Sequence, residues 1–312
     1  MSGNQAPMRE RAKAFFEDLQ DRICAEIERL DGKQKFREDR WEYAPSGEAS
    51  LRSGGGGGIT RVIAEGAVFE KGGVNTSAVA GRLPEKMAQR MKVGEGDFFA
   101  CGISLVLHPR SPHVPTVHMN MRYLEVQPDD GSPLDGWFGG GADLTPYYLN
   151  RDDAKHFHQA LKQACDAHDP EHYPRFKQWC DEYFVVKHRG EARGVGGIFF
   201  DYLRGNLEGD FPFVQDAGNA FLAAYPPIVE RRMHDAYDDA QRQWQLVRRG
   251  RYVEFNLVYD RGTLFGLETK GRIESILMSL PPHVSWVYDH QPEPGSPEAE
   301  LVAVLREPVA WV

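Results

Sequence analysis

The chain has no run approaching about eighteen apolar residues, so no segment reads as a membrane-spanning helix. Its first residues, MSGNQAPMRERAKAFFEDLQ, contain no apolar signal core. Membrane insertion and export are not expected, and a cytoplasmic location is. Cysteine is sparse: Cys24, Cys101, Cys165 and Cys180 show neither C-x-x-C nor zinc-ribbon spacing. Four scattered thiols exclude a disulfide framework and fit a reduced protein that buries them as small hydrophobes. Basic charge is in deficit, with 37 Lys and Arg against 46 Asp and Glu and a net charge of −9, which argues against a nucleic-acid partner. Any anionic ligand must be held by locally placed Arg and Lys. The sequence has no internal repeat, and no G-x-x-x-x-G-K-[ST] or strand-to-helix G-x-G-x-x-G, so nucleotide binding is not expected. The absence of H-E-x-x-H or a comparable local motif argues against a metal hydrolase.

What is present is ordinary globular composition, 41% hydrophobic and 27% charged over 312 residues, enough for one large domain or two fused ones. Between Met8 and Leu30, apolar Phe15, Leu19, Ile23, Ile27 and Leu30 recur at helical spacing, with Gly32 just past the end. Residues 1–14 are expected to include a disordered N-terminus. The glycine run of 53–58 leads into the strand-like ITRVIAEGAVFE. Further helices are expected at 152–167, 174–189, 213–224 and 227–248, with Pro227 near the first turn of the last and Gly250 beyond it. A short closing helix begins at Ser296. Strands are expected at 98–108, 116–126, 197–203, 252–259, 263–268, 275–280 and 284–289. Strands and helices are grouped rather than alternating, which predicts an α+β fold: a large, mostly antiparallel sheet between layers of helices, in a single domain.

The most informative segment is FFACGISLVLHPRSPHVPTVHMNMRYLEV, residues 98–126. Ile103, Leu105 and Leu107 share one face, which leaves Ser104, Val106 and His108 on the other. In the next strand Val117, Met119, Met121 and Tyr123 oppose a polar stripe of His118, Asn120 and Arg122. A solvated sheet face produces such alternation routinely, but surface stripes favour Lys, Glu and Thr. Imidazole, amide and guanidinium together fit anion recognition, so a binding site and a solvated face stand about equal. In WFGGGADLTPYY, three glycines beside Trp and Phe fit either a turn or backbone approached by something flat. His156 and His158 diverge on a helix, so at most one faces any given site. The basic Lys187-His188-Arg189 complements a helix C-terminus. Asp201 closes an apolar strand, where a carboxylate is costly unless paired or functional.

Together these stretches resemble the oxygen-dependent coproporphyrinogen III oxidase family, in its bacterial-length form. The matching segments are GGGGGITRVIAEGAVFEKGGVNTS, SLVLHPRSPHVPTVHMNMR, WFGGGADLTPYY, YPRFKQWCDEYFVVKHRGEARGVGGIFFDYL and RRGRYVEFNLVYDRGTLFGLETKGRIESILMSLPP, in the family's order. The resemblance implies oxidative decarboxylation of two propionates of coproporphyrinogen III to vinyl groups, giving protoporphyrinogen IX. Molecular oxygen is the co-substrate, no organic cofactor is used, and carbon dioxide and hydrogen peroxide leave. It further implies a homodimer, with 251–286 as the dimer-forming region. By the same resemblance His118 is the proton donor, while Ser104, the tripeptide Asn120-Met121-Arg122 and the loop Lys270-Gly271-Arg272 bind substrate. The loop usually reads Gly-Gly-Arg, so Lys270 is a departure. Arg189 and Asp201 are placed in the pocket; the converging pyrrole N–H groups of such a substrate need an acceptor, and on chemical grounds Asp201 is expected to fill that role or to act as base. His108, His118, His158 and His188 match proposed ligands of a divalent metal cation.

A substrate with four carboxylates needs Arg and Lys despite the acidic background. A clamp on the reacting carboxylate would oppose loss of carbon dioxide, so Arg122 and Arg272 are expected on propionates that are not reacting. The competing reading is a non-catalytic tetrapyrrole carrier on the same fold, which would bind substrate without consuming oxygen.

Overall fold

The computed structural model describes residues 6–43, 55–268 and 271–312. The first helix, α1 (Met8–Asp31), buries Ala12, Phe16, Leu19, Ile23, Ile27 and Leu30 along one stripe and ends at Gly32, whose φ of 66° only glycine adopts cheaply. Of the stretch expected to be disordered, residues 8–14 lie in this helix, with Met8 and Ala12 buried, and residues 1–5 are outside the described residues.

Seven strands follow in one antiparallel sheet: β1 (Arg37–Tyr43), β2 (Gly55–Ala64), β3 (Phe69–Arg82), β4 (Gly96–Pro109), β5 (Thr116–Pro128), β6 (Asp135–Thr145) and, at the far edge, β9 (Gly196–Arg204). Each pairs with the next in that order. A two-stranded ribbon, β7 (Val185–Val186) with β8 (Glu191–Ala192), carries the 3-10 turn Lys187–Arg189 between its strands. The expected α+β architecture, a single domain with a sheet between helices, is what the chain forms.

One sheet face carries Ile103, Leu105, Leu107, Val117, Met119, Met121, Tyr123 and Phe138, all essentially buried. It packs against α1, α3 (Arg151–Asp166), α4 (His172–Tyr183) and α5 (Leu207–Ala224). Gln20 anchors α1 to this face: its Nε2 donates to the carbonyls of Ile59 and Val74, and its Oε1 accepts from Thr76. The opposite face is only partly covered. At one end sits α2 (Glu85–Met91), which joins Leu83, Leu124, Val126 and Trp137 in a small apolar cluster. At the other end lies α7 (Asp239–Val258). Over the first strands runs α9 (Ile273–Leu277), reached through α8 (Arg261–Glu268). The short α6 (Pro226–Arg232) and closing α10 (Pro297–Arg306), capped by Ser296, complete the chain.

The C-terminal strands expected from sequence are corrected. Residues 252–258 end α7, 263–268 lie in α8, 275–277 in α9, and 284–289 form no regular element. The helix expected at 227–248 is two helices, and Gly250 lies inside α7 rather than past its end. The reason is physical. Buried positions of α7 include Arg248, Arg249 and Arg251, held by Glu191, Glu70 and Glu254, so the buried face does not read as apolar. A Cβ at Gly250 would lie 3.0 Å from the Ser285 carbonyl, so this glycine serves close approach rather than capping. The helix expected over 174–189 stops at Tyr183.

Candidate active site

The expected alternation along 117–123 is present: Val117, Met119, Met121 and Tyr123 are buried, and His118, Asn120 and Arg122 are half-buried on the other face. Strand register extends this polar face into rows. One row runs Asp39, Thr60, Asn75, Ser104, Asn120, Gly141, Phe199 from β1 to β9. A second runs Ser77, Gly102, Arg122, Gly139, and a third Gly73, Val106, His118, Asp143, Gly197. Helix α9 covers the first strands. The Ser275 hydroxyl bonds Thr60 at 2.7 Å, the Asn75 amide donates to the Ser275 carbonyl at 2.9 Å, and Met278 sits on Gly73. Ser104, Asn120 and Arg122 lie beyond it, beside the glycine floor of Gly102, Gly139 and Gly141.

Arg122 is fixed at both ends of its guanidinium. It donates to Asn120 Oδ1 at 2.8 Å and pairs with Asp201 Oδ2 at 2.9 Å. The pair crosses Gly139, where a Cβ would stand 2.6 Å from Asp201 Oδ1 and 2.7 Å from Arg122 Nη2. Asp201 reaches this place because the register slips between Phe138 and Gly140, and Tyr202 takes a φ of 51° beside it. Tyr202 N–H donates to Asp201 Oδ1 at 3.0 Å. Both Asp201 oxygens are therefore engaged.

His118 is oriented by a residue the sequence reading missed. Its Nδ1 lies 2.8 Å from Asp143 Oδ1, and Asp143 also receives Arg193 through contacts of 2.7, 2.9 and 3.2 Å. Arg193 and Asp143 are almost wholly buried. The guanidinium is sandwiched among the rings of Phe184, Tyr252 and Phe255 and donates to Asn256 Oδ1 at 2.9 Å. Burial alone would raise the Asp143 carboxyl. The charge of Arg193 and the hydrogen bond from His118 outweigh it and hold the group below the usual carboxylate range. With Nδ1 committed to a carboxylate, His118 is held in one tautomer and keeps Nε2 for exchange; the side chain is 20% exposed. Asp143 had little local signal, since the glycines that share its strand face carry no side chains to mark it. Arg193 had none, because it lies between β8 and β9, outside any period.

Other expected residues are placed elsewhere. Met121 is fully buried on the helix-packed face, with its sulfur against Gly140, so its side chain is corrected out of the binding set. Arg272 pairs with Asp39 and donates to the Ser275 hydroxyl, which seats the start of α9. The Gly271 N–H donates to the Gly266 carbonyl at 2.8 Å. Lys270 lies outside the described residues. Arg189 and His188 both bond Glu254 on α7, not the stripe.

The four histidines expected as metal ligands are not gathered into one centre. His108 bonds Thr116 and the Ser279 carbonyl, and burial followed by the Arg249 charge holds its imidazole well below its ordinary range. His158 bonds Tyr173 and the Val195 carbonyl, and burial pushes it down to about 3. His188 uses both nitrogens on Tyr259 and Glu254. Among the described residues no group of three or more His, Cys, Asp or Glu could hold a metal ion. The donor set does not fit the expected metal.

The site thus combines a glycine-floored sheet face, a half-buried arginine held by an asparagine and a carboxylate, and a histidine oriented by a buried carboxylate. The family model for coproporphyrinogen III oxidase matches residues 11–311. The chain is also 51% identical over 321 aligned residues to the oxygen-dependent coproporphyrinogen-III oxidase of Drosophila melanogaster, an alignment covering 99% of this chain and 80% of that one. The chain belongs to the coproporphyrinogen III oxidase family, and it is an oxidoreductase of the oxygen-dependent kind.

Proposed function

We propose that this enzyme converts two propionates of coproporphyrinogen III to vinyl groups, giving protoporphyrinogen IX in haem biosynthesis. At each propionate one O2 takes two hydrogens and leaves as hydrogen peroxide, while the carboxylate leaves as carbon dioxide. The observation that carries this reading is the Arg122–Asn120–Ser104 cluster beside His118 on a glycine floor. Arg122 and Asn120 hold a propionate that is not reacting, and the low floor admits the macrocycle. His118 Nε2 carries the transferred proton while Asp143 fixes the ring. Asp201, its oxygens engaged, acts here by positioning Arg122 rather than as a free base. Turnover of coproporphyrinogen III in air, and none without oxygen, is the test. Binding without oxygen consumption would favour the carrier.

Replacing Arg122 with Ala is expected to raise KM roughly 10- to 100-fold, the worth of a charge-assisted hydrogen bond. The side chain is one-third exposed, so folding should lose under about 1 kcal/mol. A collapse of Tm with unchanged KM would make the stripe structural.

A tight catalytic metal is not part of this reading, because His108, His158 and His188 have their ring nitrogens engaged within the protein. Chelator-treated, metal-free enzyme is expected to keep its turnover. Loss of activity restored by one equivalent of a divalent cation would contradict this.

The working unit in this reading is a homodimer. Val258, Ile273 and Trp286 are each more than half exposed, Tyr288 is 99% exposed, and Leu257 and Leu267 add to the apolar surface of this C-terminal region. Sedimentation is expected to show a species of twice the chain mass at micromolar concentration, and a persistent monomer would refute it. Four free, buried cysteines fit a reducing compartment such as the cytoplasm.

A further inference from the structure

An open cleft of about 480 Å³, whose lining does not include His118, is formed by Lys33, Lys71, Arg110, His283, Glu65 and Glu70 among others. Its cations are unusual in an acidic protein. Among the described residues Lys33, Lys71 and Arg110 form no ion pair, and each is held by a backbone carbonyl. Lys33 Nζ donates to Glu65 O at 3.0 Å, Lys71 Nζ to Leu280 O at 2.8 Å, and Arg110 to Gly66 O at 3.0 and 3.3 Å. Glu70 does not neutralise them, because it is already shared by Arg242 and Arg249. Glu65 is the other carboxylate on the lining, and it is exposed.

One wall of the cleft is tied together by hydrogen bonds. The buried Asp31 carboxylate accepts from the backbone N–H groups of Gln34, Ala67, Val68 and Phe69 at 2.9–3.1 Å. It thereby ties the end of α1 to the β2–β3 turn, which carries the carbonyls that hold Lys33 and Arg110. Lys71 is half-buried, and desolvation holds its ammonium below the ordinary lysine range, outweighing the opposing charge of Glu274. A desolvated ammonium hydrogen-bonded to a carbonyl gains from an anion.

We propose that this cleft is a second binding site, outside the catalytic recess, for a polyanion of the carboxylate or phosphate class. Lys71 meets one charged group inside and Lys33 with Arg110 another at the rim. The anion is either a free polyanion or the propionates of a tetrapyrrole.

The test is calorimetric titration of the full chain with pyrophosphate, citrate and coproporphyrin III, repeated on Lys33→Glu and Arg110→Gln. Lys33 is exposed, so its variant is expected to fold and to keep basal turnover. Binding of pyrophosphate or citrate that weakens at least 10-fold in both variants supports a free polyanion. A loss confined to coproporphyrin III supports the tetrapyrrole as source. Affinities for all three probes that ignore both substitutions, or no binding beyond the catalytic recess, overturn the proposal.

Discussion

Replacing Arg193 with Met is expected to destabilise the protein by about 3–5 kcal/mol, because it strands the Asp143 carboxylate in the interior without its charge partner. The two side chains are 2% and 1% exposed, so water cannot take the place of the guanidinium. Methionine keeps much of the apolar volume among Phe184, Tyr252 and Phe255, which confines the loss mainly to electrostatics. The companion Asp143→Asn in the same chain removes the stranded charge. The double variant should therefore be more stable than Arg193→Met alone, a coupling that denaturant titration of the four-member cycle measures directly. Strict additivity would mean that the pair is not coupled. Turnover should fall in Arg193→Met too, since Asp143 remains beside His118 but loses the guanidinium that fixes its carboxylate.

The largest catalytic effect is expected at His118. In His118→Gln the amide retains bulk and a polar contact to Asp143 but cannot carry a proton at neutral pH. General acid–base catalysis is worth roughly 10²- to 10⁴-fold, so kcat should fall by that factor. KM should stay near its original value, because Arg122 and Asn120 do not depend on the imidazole: they bond each other, Asp201 and the Ile103 carbonyl. The fold should be intact, since Asp143 keeps Arg193. A kcat within about threefold of the original enzyme would leave His118 as a polar contact only.

The legibility of this site in the sequence follows physical lines. The His118, Asn120, Arg122 face was readable because a strand's period of two is local, and each neighbour across it is apolar and buried. Strand β6 was not readable, since Gly139, Gly140 and Gly141 carry no side chains whose pattern could declare two faces. That hid the pairing of β6 with β5, which puts Asp143 opposite His118. The Asp143–Arg193 contact spans 50 residues of chain, and no local spacing encodes it. In α7 the alternation of Val253, Phe255 and Leu257 imitated a strand, yet Leu257 is 41% exposed while Phe255 is buried. Its buried positions Trp244, Arg248, Arg251, Tyr252 and Phe255 keep helical spacing, but arginines paired in the interior conceal it from a hydrophobicity pattern. The histidines misled in the opposite way. Eight of eleven lie between His108 and His188, but folding distributes the four expected ligands over separate hydrogen-bond partners.

The central claim is that the macrocycle lies on the glycine floor with a propionate at Arg122 and the reacting one within reach of His118. A crystal structure of the enzyme with coproporphyrin III, the oxidised and unreactive form of the tetrapyrrole, tests it most directly. The account predicts a propionate within hydrogen-bond distance of Arg122 and Asn120, the ring against Gly102, Gly139 and Gly141, and His118 Nε2 facing a second propionate. A macrocycle bound away from this sheet face, with no propionate at Arg122 and His118 touching nothing, would contradict it.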